Sequence, residues 1–277
     1  MKTIDREHVR RVFQEYVGHY DCTDEKIRLK IGHTYRVAEL CARIARAEAM
    51  APEDVDLAWL LGMLHDVGRF EQLRRYHTFI DADSIDHAAL GADILFGGET
   101  DKIIRTYIEF AEEDTLIEQA IRVHSAYRIP ANISEREAKF CHILRDADKI
   151  DILRVNIETP LEEIYNTTTE ELKSSVISDE VMQAFFEHHA ILRALRHTTV
   201  DHLAGHISLV YELVYKESLV IVKEQGYLSQ LMHFASENPV TREQFARMRD
   251  EMENFLEVST ERQEKTAGGL LFMPKRR

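Results

Sequence analysis

LLGMLHDVGRF, residues 60–70, sets a histidine and an aspartate side by side at the end of an apolar run. Leu57, Leu60, Leu61 and Leu64 recur at steps of three and four, the spacing of one buried helical stripe, and Pro52 stands where a first helical turn tolerates it. Gly68 reads as the stop of that helix. His65 and Asp66 therefore close a helix whose stripe faces inward, and buried ionisable groups are costly unless they are paired. The rest of the chain must supply the partners.

Outward from this stretch, the apolar residues keep helical spacing almost everywhere. Val37, Leu40, Cys41 and Ile44 make a second stripe, and 5 prolines and 11 glycines in 277 residues leave long stretches uninterrupted. An all-α fold is predicted, with further helices over 86–96, 101–126, 135–156, 161–173 and 179–225, the last broken near Thr198. Val220, Ile221 and Val222 favour strands, but YELVYKESLVIVKEQGYL (211–228) keeps helical spacing to Gly226. The reading divides the chain into a core with an N-terminal helix (1–160), a helical extension packed on it (161–262) and a flexible tail (263–277).

Lys and Arg number 35 against 49 Asp and Glu, a net charge of −14, which disfavours nucleic-acid polymers and anionic membranes as partners held by bulk charge. A local phosphate site is compatible with it. Cys22, Cys41 and Cys141 form no CxxC pair, so neither a disulfide framework nor a thiolate zinc site is indicated. The N-terminus MKTIDREHVRR has no apolar signal core, and no run approaches the roughly 20 apolar residues of a membrane span. A cytoplasmic protein is expected.

Polar residues embedded in apolar stripes are the candidates for chemistry. His33 extends the stripe of Val37, Cys41 and Ile44; His87 opens the face of Leu90, Gly91, Ile94 and Leu95; His124 ends that of Ile117, Ala120 and Ile121. From CHILRDADKIDIL (141–153) on to Val155, Cys141, Leu144, Asp148, Ile152 and Val155 follow one stripe, which favours Asp148, with Asp146 or Asp151 as alternatives. Any one of these alone is more often a hydrogen-bonded core residue. Four histidines and two aspartates on five helices, converging on one interior point, instead suit transition metals. One divalent ion takes about four to six ligands, so this set with a bridging carboxylate serves two ions. His188, His189, His197, His202 and His206 enrich the C-terminal half, but no HExxH glutamate lies between His202 and His206. They read as packing or solvent-facing residues, with Asp201, His202 or Tyr211 available to shape a pocket.

The order His33, His65 with Asp66, then Asp148 resembles the H…HD…D signature of the HD-domain superfamily of metal-dependent phosphohydrolases, and HDVGRF (65–70) looks like the end of its HD helix. The likeness runs over roughly residues 28–155 and implies an HD-domain helical bundle. His87 and His124 resemble the binuclear branch, which includes dinucleotide and cyclic dinucleotide phosphodiesterases and di-iron oxygenases. No GYP-like segment follows the core, which argues against the cyclic di-GMP subgroup. The resemblance implies one metal on His33, His65, Asp66 and Asp148 and another on Asp66, His87 and His124. Iron or manganese is favoured, with zinc, nickel, cobalt or magnesium as alternatives.

The implied reaction is hydrolysis, by a metal-bound hydroxide, of a phosphomonoester or phosphodiester of a nucleotide or other small phosphorylated metabolite. Asp66, Arg69 and Glu71 are the candidate catalytic residues, with Arg69 placed to fork onto a phosphate. Glu71, Arg74, Arg75 and His77 are expected on a loop roofing the site, for substrate contact or proton delivery. Lys149 would meet phosphate or neutralise Asp146. The competing readings are a di-iron oxygenase and a noncatalytic nucleotide sensor; the latter predicts lost ligands, and none of the six is missing. Oligomeric state is not encoded in any of these features.

Overall fold

The computed structural model describes residues 3–98, 102–165 and 167–269, and among them the regular structure is helical, without a strand. The chain forms two compact units, Met1–Asp151 and Ile152–Arg277. No helix among the described residues is long and apolar enough to cross a membrane.

The first unit runs through α1 (Arg6–Val17), α2 (Glu25–Ala47), α3 (Pro52–Leu64), α4 (Val67–Tyr76), α5 (His87–Phe96), α6 (Ile104–Tyr107), α7 (Asp114–Val123) and into α8 (Glu135–Glu158). Aspartate side chains start three of these helices by accepting the first free amides: Asp5 for α1, Asp24 for α2 and Asp86 for α5. α3 opens on Pro52 as expected and is covered all round, with Trp59, Leu60, Leu61, Met63 and Leu64 fully buried. It is the central helix of the unit. Val9 and Phe13 from α1 and Val37, Cys41 and Ile44 from α2 are likewise fully buried. Each such side chain contributes about 1.5–3 kcal/mol of transfer free energy relative to exposure.

Gly68 does not stop the helix. α3 ends at Leu64, Asp66 takes φ −106° and ψ 15°, and α4 begins at once with Gly68 inside it. The glycine serves a close approach instead: a Cβ there would lie 2.7 Å from Gly91 N and closer still to the His87 carbonyl oxygen. α4 and α5 touch backbone to backbone at Gly68 and Gly91.

The segment read as one helix over 101–126 is two, because Ile108 is extended (φ −141°, ψ 144°) and the acidic run after it begins a new helix. Arg105 pairs with Asp114 across the break.

The second unit continues through α9 (Leu161–Tyr165), α10 (Thr169–Ser174), α11 (Asp179–Phe186), α12 (Thr199–Ile207), α13 (Lys216–Gln225), α14 (Tyr227–Met232) and α15 (Pro239–Gly269). The stretch 179–225 is thus interrupted twice: between α11 and α12, where His188 is left-handed and the capping box of Thr198 with Asp201 opens the next helix, and between α12 and α13, where a short 3₁₀ turn (Ser208–Glu212) gives way to an extended Leu213. Thr198 is the expected break. Gly226 ends α13 in the left-handed conformation, also as read. The expected tail is helical up to Gly269; residues 270–277 lie outside the described residues.

Candidate metal centre

His65 and His124 occupy equivalent places, each just past the last turn of its helix, α3 and α7. A helix end leaves carbonyls without intrahelical donors. Each imidazole uses one of them: His65 Nδ1 donates to Gly62 O at 2.8 Å and His124 Nδ1 to Ile121 O at 2.7 Å. A carbonyl only accepts, so the neutral ring carries its proton on Nδ1 and its lone pair on Nε2. His33 and His87 are turned the same way by carboxylates. His33 Nδ1 lies 2.6 Å from Asp151 Oδ2, which Arg36 also grips, and His87 Nδ1 lies 2.8 Å from Asp81 Oδ2.

Four Nε2 atoms consequently face one another. His33 and His65 bring theirs within 3.3 Å, and His87 and His124 within 3.1 Å. Asp66 stands between the two pairs. Its Oδ2 is 3.6 and 3.5 Å from the Nε2 atoms of His33 and His65, and its Oδ1 is 3.4 and 3.7 Å from those of His87 and His124. All five residues are at most 4% exposed. Two groups able to hold an ion follow, His33 with His65 and Asp66, and Asp66 with His87 and His124. Lone pairs of neutral imidazoles aimed at each other repel unless a cation lies between them, and this nitrogen and carboxylate set suits a divalent transition metal.

Asp148 joins the first group, its Oδ1 3.1 Å from His33 Nε2 and 3.9 Å from His65 Nε2. Its side chain keeps 15% exposure, more than its neighbours, so the cluster is most open there. Asp151, an alternative reading for this ligand, orients His33 through the far nitrogen. Neither Asp146 nor Asp148 belongs to the three-residue groups among the described residues, and it is the contacts with His33 and His65 that tie Asp148 to the cluster. A third group, Asp81, Asp86 and His87, is accounted for otherwise. Asp86 caps α5 and Asp81 holds His87.

The electrostatics favour neutral His65 and His87 beside an ionised Asp66. Burial, only partly offset by Asp66 and Asp148, brings His65 down to about 4, and burial followed by Arg69 brings His87 down to about 4. Burial pushes Asp66 up, but Lys30 and His65 together hold it well below the usual carboxylate range. Burial and Lys30 depress His33, while the hydrogen bonds to Asp148 and Asp151 outweigh them and leave it raised. Lys30 was not anticipated. It sits one turn before His33 on α2, and its Nζ donates to Asp66 Oδ2 at 2.7 Å.

The residues expected to roof the site are arranged differently. Glu71, Arg74 and Arg75 stand on α4, not on a loop, and His77 ends that helix in the left-handed conformation. Arg74 Nε donates to Glu71 Oε2 at 2.7 Å and Arg75 pairs with the same carboxylate. The Arg74 hydrogen bond, against burial, holds Glu71 below its ordinary value, which favours its ionised form. Lys149 is half-buried beside Asp148 on α8. Arg69 is largely committed: Nη1 donates to Gln72 Oε1 at 2.8 Å, Phe79 O at 2.6 Å and Asp81 Oδ1 at 2.8 Å, leaving Nε 3.7 Å from Asp66 Oδ1.

Asp81 therefore links Arg69 and Gln72 to His87. Asp81→Asn is expected to lower metal affinity about 10- to 100-fold, the usual loss when the partner of a ligating histidine is weakened. Competition with a metal chelator measures it; unchanged affinity would detach Asp81 from the site.

No curated protein and no solved structure matches the chain. Residues 31–155 match the family model of the HD domain, a stretch that contains all six candidate ligands. The gathered His33, His65 with Asp66, and Asp148 lie within that stretch, so residues 31–155 carry both the match to the HD domain and the cluster.

Proposed function

We propose that the chain is a metal-dependent phosphohydrolase with a binuclear centre, acting on a phosphoester of a nucleotide or another small phosphorylated metabolite. HD domains belong to a family of metal-dependent phosphohydrolases that bind divalent metals. The observation that carries the binuclear reading is Asp66, whose two carboxylate oxygens each face a separate pair of imidazole nitrogens. His33, His65, Asp66 and Asp148 would hold one ion, and Asp66, His87 and His124 the other. Bound there, divalent ions supply Lewis acidity toward phosphoryl oxygens and lower the pKa of water.

The chain's own residues do the rest. Asp151, Asp81 and two helix-end carbonyls fix the four rings, while α3, buried on all sides, holds His65 and Asp66 at its end. Lys30 and Arg69, the cations nearest Asp66, are suited to meet the negative charge of a phosphoryl group. The overall charge of −14 supports a small substrate over a polyanionic one.

Elemental analysis of anaerobically purified protein, followed by a panel of phosphomonoesters and phosphodiesters, tests this reading. Close to two equivalents of iron or manganese per chain are expected, with phosphate or alcohol release that a chelator abolishes. A single equivalent that does not rise on reconstitution reduces the centre to the mononuclear set. Iron-dependent, substrate-coupled oxygen uptake without phosphoester cleavage replaces the hydrolase with an oxygenase.

A further inference from the structure

The unit Ile152–Arg277 contains a cavity that the proposed reaction does not use. Gly226 alone separates α13 from α14, its left-handed backbone (φ 69°) turning the chain between them, and both helices pack against α15. The corner so formed is not filled. It leaves a cavity of about 200 Å³ walled by Val222, Leu228, Met232, Met252 and Leu256, all at most 9% exposed. Gly226 lies on its wall, and a Cβ there would meet no atom within 4 Å. An apolar cavity of about 150 Å³ holds a benzene ring, so this one admits a single aromatic ring with a short arm. Met232 and Met252 suit such a body, because thioether sulfur makes favourable contacts with aromatic rings.

The rim of the cavity is charged. Arg249, Lys223 and Glu253 line it together with the apolar side chains. Arg249 Nη1 donates to Met232 O at 2.8 Å, and among the described residues no carboxylate pairs with this guanidinium. Glu253 stands one turn further along α15 and does not pair with it either. A guanidinium offers a fork of N–H donors that matches a carboxylate, and only Nη1 of this one is engaged. An unpaired cation at the mouth of an apolar cavity fits a ligand with an apolar body and an anionic end. Glu253 on the same rim disfavours a doubly charged phosphate, which leaves a single negative charge as the match.

We propose that this cavity binds a small aryl carboxylate, with its ring among Met232, Met252 and Leu256, its carboxylate on the Arg249 fork and Lys223 as a second cation. An arylalkanoic acid and an aromatic amino acid share that chemistry, and the amino acid adds an ammonium group for Glu253. Every residue of the site belongs to the second unit. The assignment goes beyond the metal centre and does not depend on it.

Calorimetric titration of hydrocinnamate into the full chain tests the site. One equivalent per chain is expected, and hydrocinnamyl alcohol, which lacks the charge, should bind at least about 10-fold more weakly. Arg249→Gln should weaken the acid about 10- to 100-fold, and Arg249→Lys should recover part of that loss, because the charge returns without the fork. Ser229→Trp, at an exposed position on the rim, should block entry with the unfolding midpoint of the free chain unchanged. Phenylalanine separates the two sources: tighter binding than hydrocinnamate, an advantage lost in Glu253→Gln, identifies an amino acid, and equal or weaker binding identifies an arylalkanoic acid. Absence of saturable binding of both compounds overturns the site, as does binding that Arg249→Gln and Ser229→Trp leave unchanged, or an alcohol that binds as tightly as the acid. A carboxylate taken up by the metal centre falls among these overturning results, since neither substitution touches its ligands, and none of them bears on the hydrolase reading.

Discussion

Asp66→Asn is expected to lower turnover at least about 10³-fold, equivalent to about 4 kcal/mol of transition-state stabilisation. Bound metal should fall from two equivalents to one or fewer. The amide keeps the shape of the carboxylate but replaces one oxygen with a donor. Lys30 Nζ, 2.7 Å from Oδ2, selects which: the amide oxygen stays with the lysine, and the NH₂ group turns toward His87 and His124. There it donates to a lone pair that an ion would otherwise use. The ion between His87 and His124 is therefore lost first. Elemental analysis beside steady-state kinetics checks both parts, and a variant with two equivalents and wild-type turnover removes Asp66 from the bridging role.

Gly68→Ala is the second large effect. The added methyl meets Gly91 N at 2.7 Å and the His87 carbonyl oxygen at a shorter distance still, and neither is the movable end of a side chain. α4 and α5 must part, at a cost of roughly 3 kcal/mol or more. For a chain of this size the thermal midpoint should drop by roughly 6–12 °C. His87 heads α5, so the same displacement should weaken metal binding at the His87 and His124 side before the His33 and His65 side. A midpoint within 1–2 °C of wild type, about the experimental scatter, would show that the helices separate freely.

The candidate ligands were legible in the sequence because each is a polar residue on an apolar stripe, and a stripe fixes direction. His33, His65, His87, His124 and Asp148 all point where the spacing sends them. Asp81 and Gln72 gave no such signal. Asp81 lies in a short turn among several acids, and its contact with His87 depends on how the chain returns to α5. Lys30 was readable in principle, one turn before His33, but lysine at a helix face is ordinarily solvated. Gly68 shows a different limit. A glycine after an apolar run fits both a helix stop and a backbone contact, and only the neighbouring helix tells them apart.

Helix interruptions were the least readable feature of the fold. Ile108, Ala190, Ile191 and Val210 are buried without belonging to an α-helix, so their apolar pattern continues across the breaks. Hydrophobic spacing reports burial, and a short turn between two buried helices preserves it. The break at Thr198 was the exception because a capping residue marked it.

The two ways of holding the imidazoles divide each ligand pair alike. His65 and His124 lean on the carbonyl three residues behind them, whereas their companions His33 and His87 lean on the carboxylates of Asp151 and Asp81. No side-chain substitution can remove a carbonyl, so one donor in each pair is immune to point mutation of its support. The other is adjustable, since a carboxylate partner makes an imidazole a stronger donor than a carbonyl does. Evolution could shift the metal preference of either half by trading Asp81 or Asp151 for a neutral residue while the remaining ring keeps the place open. Such a site can change its metal without first losing it.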